Sequence, residues 1–254
     1  MEEIGRMLEG RYRLIRLLGK GGAAAVYLAR DRRSGKYRAV KELRKGRRTW
    51  AETAAMLQDL YHPGLPRVWE TIAGQGETVY VVMDYVEGVS LGRLLQEAGP
   101  QSAPQVIEWG KQLCRILIYL HSRKPPLLYR DLKPDNIMLQ ADGMLKLIDF
   151  GTIMQGGGRQ RNDCLGTRGY AAPEQYVRRG RLDQRTDIYC LGVTLHRLLT
   201  GCQPARGRDG LLPLRRWNPS FSSELERILI KCTRKSPRRR YRSCRELLGA
   251  LERL

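Results

Sequence analysis

The chain has 254 residues, 42% of them apolar, and carries 46 basic against 26 acidic residues for a net charge of +20. That size and apolar content suffice for two hydrophobic cores, and no run of about 18 apolar residues predicts a membrane-spanning helix. The six cysteines, at 114, 164, 190, 202, 232 and 244, form no C-x-x-C pair, so neither a zinc site nor a disulfide framework is suggested and reduced thiols are the simplest reading.

The opening Met1-Glu2-Glu3-Ile4-Gly5-Arg6 lacks the apolar run of a secretory leader. A cytoplasmic domain is expected, with a membrane tether if the natural chain is longer. The positive charge suits nucleic acid, an anionic membrane or acidic substrates. The scatter of arginines along the whole chain fits a solvated surface equally well.

In chain order, Tyr12 to Leu18 alternates as a strand, followed by the small-residue stretch Gly19-Lys20-Gly21-Gly22-Ala23-Ala24-Ala25-Val26 and a second strand through Leu28 and Ala29. Glycines between two strands let backbone N–H groups approach a polyanion. Tyr37-Arg38-Ala39-Val40-Lys41 is a third strand, Arg48 to Leu60 a helix, and Pro66–Ile72 and Val79–Asp84 two further strands. The rest is mainly helical. Pro104 opens a helix with Val106, Trp109, Leu113, Ile116, Leu117 and Leu120 on one face. Asp187 to Leu199 is apolar on most sides, as a core helix is. Glu224–Cys232 and Ser243–Leu254 are amphipathic.

The stretch Tyr129-Arg130-Asp131-Leu132-Lys133-Pro134-Asp135-Asn136 is too Pro-broken for a helix and reads as a loop entering a strand. Asp149-Phe150-Gly151 ends a second apolar run, Met144 to Ile148. Two carboxylates and an amide are thereby delivered to neighbouring places. A carboxylate with an amide can hold a divalent cation between phosphate oxygens, and a second carboxylate can accept a hydroxyl proton.

These residues resemble the signatures of the protein kinase family, in the style of the bacterial serine/threonine kinases. Further matches are Gly19 and Gly21 of the glycine-rich loop, with Ala24 where a third glycine is usual. Lys41 matches the phosphate-binding lysine, Met83-Asp84-Tyr85-Val86-Glu87-Gly88 the hinge, and Gly166-Thr167-Arg168-Gly169-Tyr170-Ala171-Ala172-Pro173-Glu174 the activation-segment end. Asp187 and Gly192 match the D-x-x-x-x-G of the buried helix, and Arg240 the ion-pair partner of Glu174. The resemblance implies an α+β bilobal fold. Residues 1–86 would form a five-stranded antiparallel lobe with one helix, 84–88 a hinge, and 87–254 a larger helical lobe. It implies ATP-dependent phosphorylation of Ser/Thr hydroxyls on protein substrates. Asp131 would be the base, Lys133 the charge neutraliser, Lys41 the phosphate grip steadied by Glu52, and Thr167 the contact of Asp131. Asn136 and Asp149 would hold Mg2+, with Mn2+ as an alternative. Leu18, Gly19, Lys20, Gly21, Gly22, Val26, Ala39, Met83, Asp84, Val86, Ser90 and Met138 would surround ATP.

A scaffold without chemistry is disfavoured because Lys41, Asp131, Asn136 and Asp149 are all present. A nucleic-acid binder would interleave aromatic platforms with its basic residues, and none is evident. The basic run Arg234 to Arg245 could draw an anionic partner. Arg130 would pair with a phosphate on the activation segment. The segment from Thr152 to Gly166 offers almost no hydroxyl, so either Asp163 takes the phosphate's place or it is simply solvated. Oligomeric state is not legible in the sequence.

Overall fold

The computed structural model describes residues 4–20, 24–44, 56–76, 78–150, 153–156, 166–177, 181–204, 206–207 and 210–254. The chain divides into two compact units, Met1–Glu87 and Gly88–Leu254.

The first unit is an antiparallel sheet of β1 (Met7–Leu8), β2 (Tyr12–Lys20), β3 (Ala24–Asp31), β4 (Tyr37–Arg44), β5 (Val68–Ala73) and β6 (Thr78–Asp84), in spatial order β1-β2-β3-β4-β6-β5. Six strands stand where five are expected. The extra one is β1, which folds back on β2 through Glu9-Gly10 at φ 48° and 60°, with Arg11 N donating to the Leu8 carbonyl at 2.9 Å. Positive φ at both central residues is the turn that matches strand twist. Two residues are too few to register as an alternation, which is why β1 escapes a periodicity reading. Of the expected helix 48–60, residues 56–58 are helical, and 45–55 lie outside the described residues.

One face of this sheet packs as a core, from Tyr12, Leu14, Ala25, Tyr27, Ala29, Val40, Ile72, Tyr80 and Val82. Their alternation in β3 and β4 leaves Val26, Ala39 and Lys41 on the opposite face. Register places Val26 opposite Lys41 and Ala39 opposite Met83.

The second unit begins with β7 (Val89–Ser90), which pairs with β9 (Ile137–Leu139). Gly88 adopts φ +140°, and a Cβ there would lie 2.2 Å from the Leu139 carbonyl oxygen, so only glycine fits this close approach. Helix α1 (Leu91–Ala98) follows, capped by the Ser90 hydroxyl, which accepts from Arg93 N at 3.1 Å. Helix α2 (Ala103–His121) buries every apolar residue expected on its inner face. Each such leucine contributes about 2 kcal/mol of burial. Strands β8 (Leu127–Leu128), β10 (Leu145–Leu147) and β11 (Met154–Gln155) form small pairings: β10 with β9, β11 with β8. Helix α3 (Gln184–Thr200) is buried on nearly all sides, as its composition predicts. The short strands β12 (Arg206–Gly207) and β13 (Gly210–Leu211), then α4 (Ser223–Cys232) and α5 (Cys244–Leu251), complete the unit. No helix among the described residues is long and apolar enough to cross a membrane.

Candidate active site

The loop after β8 is held by side chains from elsewhere in the second unit. The Asp187 carboxylate, from α3, accepts Arg130 N at 2.7 Å on Oδ1 and Tyr129 N at 2.9 Å on Oδ2. Asp187 is fully buried, and His121 Nε2 stands 2.8 Å from Oδ2. Thr194 Oγ1 donates to the Leu132 carbonyl at 3.0 Å. A buried carboxylate is tolerated because each oxygen meets donors.

These supports converge on Asp131. Its Oδ1 accepts Thr167 N at 3.0 Å and Thr167 Oγ1 at 2.7 Å. Its Oδ2 lies 3.2 Å from Lys133 Nζ and accepts Asn136 Nδ2 at 3.0 Å. Lys133 Nζ also donates to Thr167 Oγ1 at 2.6 Å. Asp131, Lys133, Asn136 and Thr167 therefore form one hydrogen-bonded cluster.

Asn136 ends a 3-10 turn, Pro134–Asn136, whose start suits proline because no N–H is needed there. Its Nδ2 is engaged by Asp131, with a second bond to the Asp131 carbonyl at 2.8 Å. That orientation leaves Oδ1 as a hard oxygen donor. The β9–β10 pairing brings the Asp149 end of one strand beside the Asn136 end of the other, with Ile148 N donating to the Asn136 carbonyl at 3.1 Å. One amide oxygen and one half-buried carboxylate fit Mg2+, which takes few protein ligands and keeps phosphate and water oxygens. Among the described residues no group of three or more His, Cys, Asp or Glu is placed to hold a metal ion.

Burial pushes the Tyr129 phenol well up, and the carboxylates of Asp149 and Asp131 push the same way, so Tyr129 stays protonated beside the site. Ser90 and Met138 are cross-strand partners in the β7–β9 pair.

In the first unit, Lys41 is buried on β4. Gly19 and Lys20 are exposed at the end of β2, and Leu18 is half-buried at a break in the β2–β3 register. Met83 and Val86 are buried. The Asp84 carboxylate accepts Arg38 Nη1 and Trp69 Nε1, both at 2.7 Å, while its N–H donates to the Arg67 carbonyl at 2.9 Å. The Asp84 N–H is thus already engaged within the unit. Gly21, Gly22 and Glu52 lie outside the described residues, as do Thr152 and Asp163 of the activation segment.

The protein kinase domain family matches residues 12–250. The chain belongs to the protein kinase family. It is 31% identical to the serine/threonine-protein kinase PrkC of Bacillus subtilis over 96% of this chain and 40% of PrkC. It is 33% identical to the serine/threonine-protein kinase PknB of Mycobacterium tuberculosis over 97% of this chain and 43% of PknB. The chain thus spans about two fifths of the length of these curated relatives.

As the motif match predicts for a kinase domain, Arg240 donates to Glu174 through Nη1 and Nη2 at 2.6 and 2.8 Å. This bidentate pair also takes Thr186 Oγ1, and Arg240 stacks 4.8 Å from the Tyr189 ring. Sequence reading missed Gln175 and His121. Both are buried polar side chains, Gln175 directly after Glu174 and His121 at the end of α2, and neither carries a spacing signal of its own. It also missed α1, although Ser90 ahead of Leu91, Leu94 and Leu95, with Gly99 behind, is a legible helix start and stop.

Proposed function

We propose that this domain transfers the γ-phosphoryl group of ATP to serine and threonine hydroxyls of proteins. The observation that carries the reading is the Asp131 cluster: a carboxylate with one oxygen on Thr167 and the other beside Lys133 and Asn136. The names of PrkC and PknB support the Ser/Thr class.

Asp131 orients the acceptor hydroxyl and takes its proton as the new P–O bond forms and the bond to the departing diphosphate breaks. Lys133 offsets charge on the transferring group. Asn136 Oδ1 and Asp149 would hold Mg2+ or Mn2+, whose charge would offset that of the phosphate oxygens. Lys41 grips the inner phosphates, with Gly19 and Lys20 entering the loop that would cover them. In the first unit, Leu18, Val26, Ala39 and Met83 supply apolar contacts to adenine, and the Asp84 carbonyl and the Val86 backbone its polar ones. The exposed cations Arg234, Lys235, Arg238, Arg239, Arg242 and Arg245 form the surface an anionic partner would use.

Radiolabelled Mg-ATP with a basic peptide, followed by phosphoamino-acid analysis, tests the reading. Phosphoserine or phosphothreonine is expected, with a loss of about 100-fold or more in Asp149→Ala. Wild-type turnover by Asp149→Ala would refute the metal assignment.

A further inference from the structure

Arg130 holds φ at 68°, in the left-handed region. Among the described residues only Glu9 is another non-glycine there, and Glu9 is exposed in a hairpin turn, whereas Arg130 is buried beside Asp131. Such backbone persists at functional sites where the surroundings over-determine it. Asp187 fixes the N–H side of the residue, as described above. The carbonyl side is fixed by Gln175, whose Nε2 donates to the Arg130 carbonyl at 3.0 Å.

Gln175 is 1% exposed, on the 3-10 turn Pro173–Tyr176. Its Oε1 accepts Ala172 N at 2.8 Å, and the Cys190 thiol lies 3.5 Å from the same oxygen. Turning the amide over would set Oε1 against the Arg130 carbonyl and Nε2 against the Ala172 N–H. Only one orientation satisfies both neighbours. Gly166 makes room for it: a Cβ at that position would lie 2.9 Å from Gln175 Nε2. The next residue is Thr167, which donates to Asp131.

We infer that Gln175 is a positioning residue for catalysis. Its amide pins the Arg130 carbonyl and so sets the direction in which the chain enters Asp131. It also ties that direction to the segment ending at Ala172, so the loop and the activation-segment end are set together. The Arg130 carbonyl and the Asp131 N–H share one peptide plane, so orienting the first orients the second. This inference rests on the proposed phosphoryl transfer.

Two variants test it. Gln175→Met keeps the length and removes both hydrogen bonds. Gln175→Glu keeps the acceptor for Ala172 N–H and loses the donor toward Arg130 whenever it is ionised. In Gln175→Met, kcat is expected to fall about 10- to 100-fold while KM for ATP stays within about twofold. In Gln175→Glu, the ratio to wild type is expected to recover between about pH 8 and about pH 6, because the protonated carboxyl regains an O–H donor. Amide exchange at 129–131 in Gln175→Met is expected to quicken about tenfold, a readout that needs no transfer activity. Wild-type kcat in a folded Gln175→Met, or unchanged exchange at 129–131, overturns the inference. If Gln175→Met does not fold, a pH-independent ratio in Gln175→Glu overturns it. Quickened exchange in a chain whose wild type transfers no phosphate would sink the proposed function and leave the Gln175 restraint standing.

Discussion

Lys41, in the 1–87 unit, is placed by the sheet: its neighbours Val26 and Val81 follow from strand register alone. Asp131, in the 88–254 unit, is placed by side chains that hold a loop. There the backbone is the thing being supported: by Asp187 under Tyr129 and Arg130, Thr194 under Leu132, and Arg240 against the carbonyls of Arg185, Arg234 and Lys235. The small unit also holds ion pairs, but they lie over a completed ladder. Arg11 bridges Asp31 and Glu70 at 2.8 Å each, and the Tyr12 hydroxyl donates to Glu70. Losing a polar side chain should therefore disrupt the large unit's backbone and leave the small unit's sheet nearly intact.

The largest effect on stability is expected from Arg240→Ala. It leaves the Glu174 carboxylate without its guanidinium and orphans three carbonyls, at a cost of about 3–5 kcal/mol read by denaturant unfolding. A loss under about 1 kcal/mol would break the contrast. Asp187→Asn comes next. Its amide must present a donor to one of two backbone N–H groups, and the expected loss is about 3 kcal/mol, with quickened amide exchange at 129 and 130.

The smallest effect is expected on the small unit. Arg11→Ala takes a partly exposed cation off the buried Asp31 carboxylate, which keeps the Ser34 hydroxyl and the Arg33 N–H, and is expected to cost about 2 kcal/mol near neutral pH. Its pH signature is sharper. The Arg11 guanidinium holds the Asp31 carboxyl well below the usual carboxylate range, with help from Ser34 and the Arg33 N–H. A depressed carboxylate stabilises the fold above its unfolded pKa of about 4 and loses that contribution as pH falls through the folded value. Stability of the small unit should decline below about pH 4, and Arg11→Ala should flatten that decline. An unchanged acid slope would remove Arg11 as its cause.

The same contrast explains what was legible in the sequence. The strands and helices with several apolar repeats, Tyr12 onward in β2 and Val106 to Leu120 in α2, announce themselves by period. Asp131, Lys133, Asn136 and Asp149 stood out as candidates because a loop and two strands fix their spacing. Gln175 did not: its partners lie at 130, 172 and 190, and only the folded chain brings those backbone and thiol groups to one amide. Likewise β1 has two residues and is defined by its turn.

The central claim is that Asp131, held by this lattice of side chains, serves phosphoryl transfer. The direct measurement is single-turnover transfer from Mg-ATP to a Ser/Thr peptide by wild type and Asp131→Asn, with Mg-ATP affinity and thermal unfolding recorded on the same samples. The account predicts a loss of about 100-fold or more in the transfer step of a folded variant, with nucleotide affinity close to wild type. Asp131→Asn transferring at the wild-type rate would contradict it.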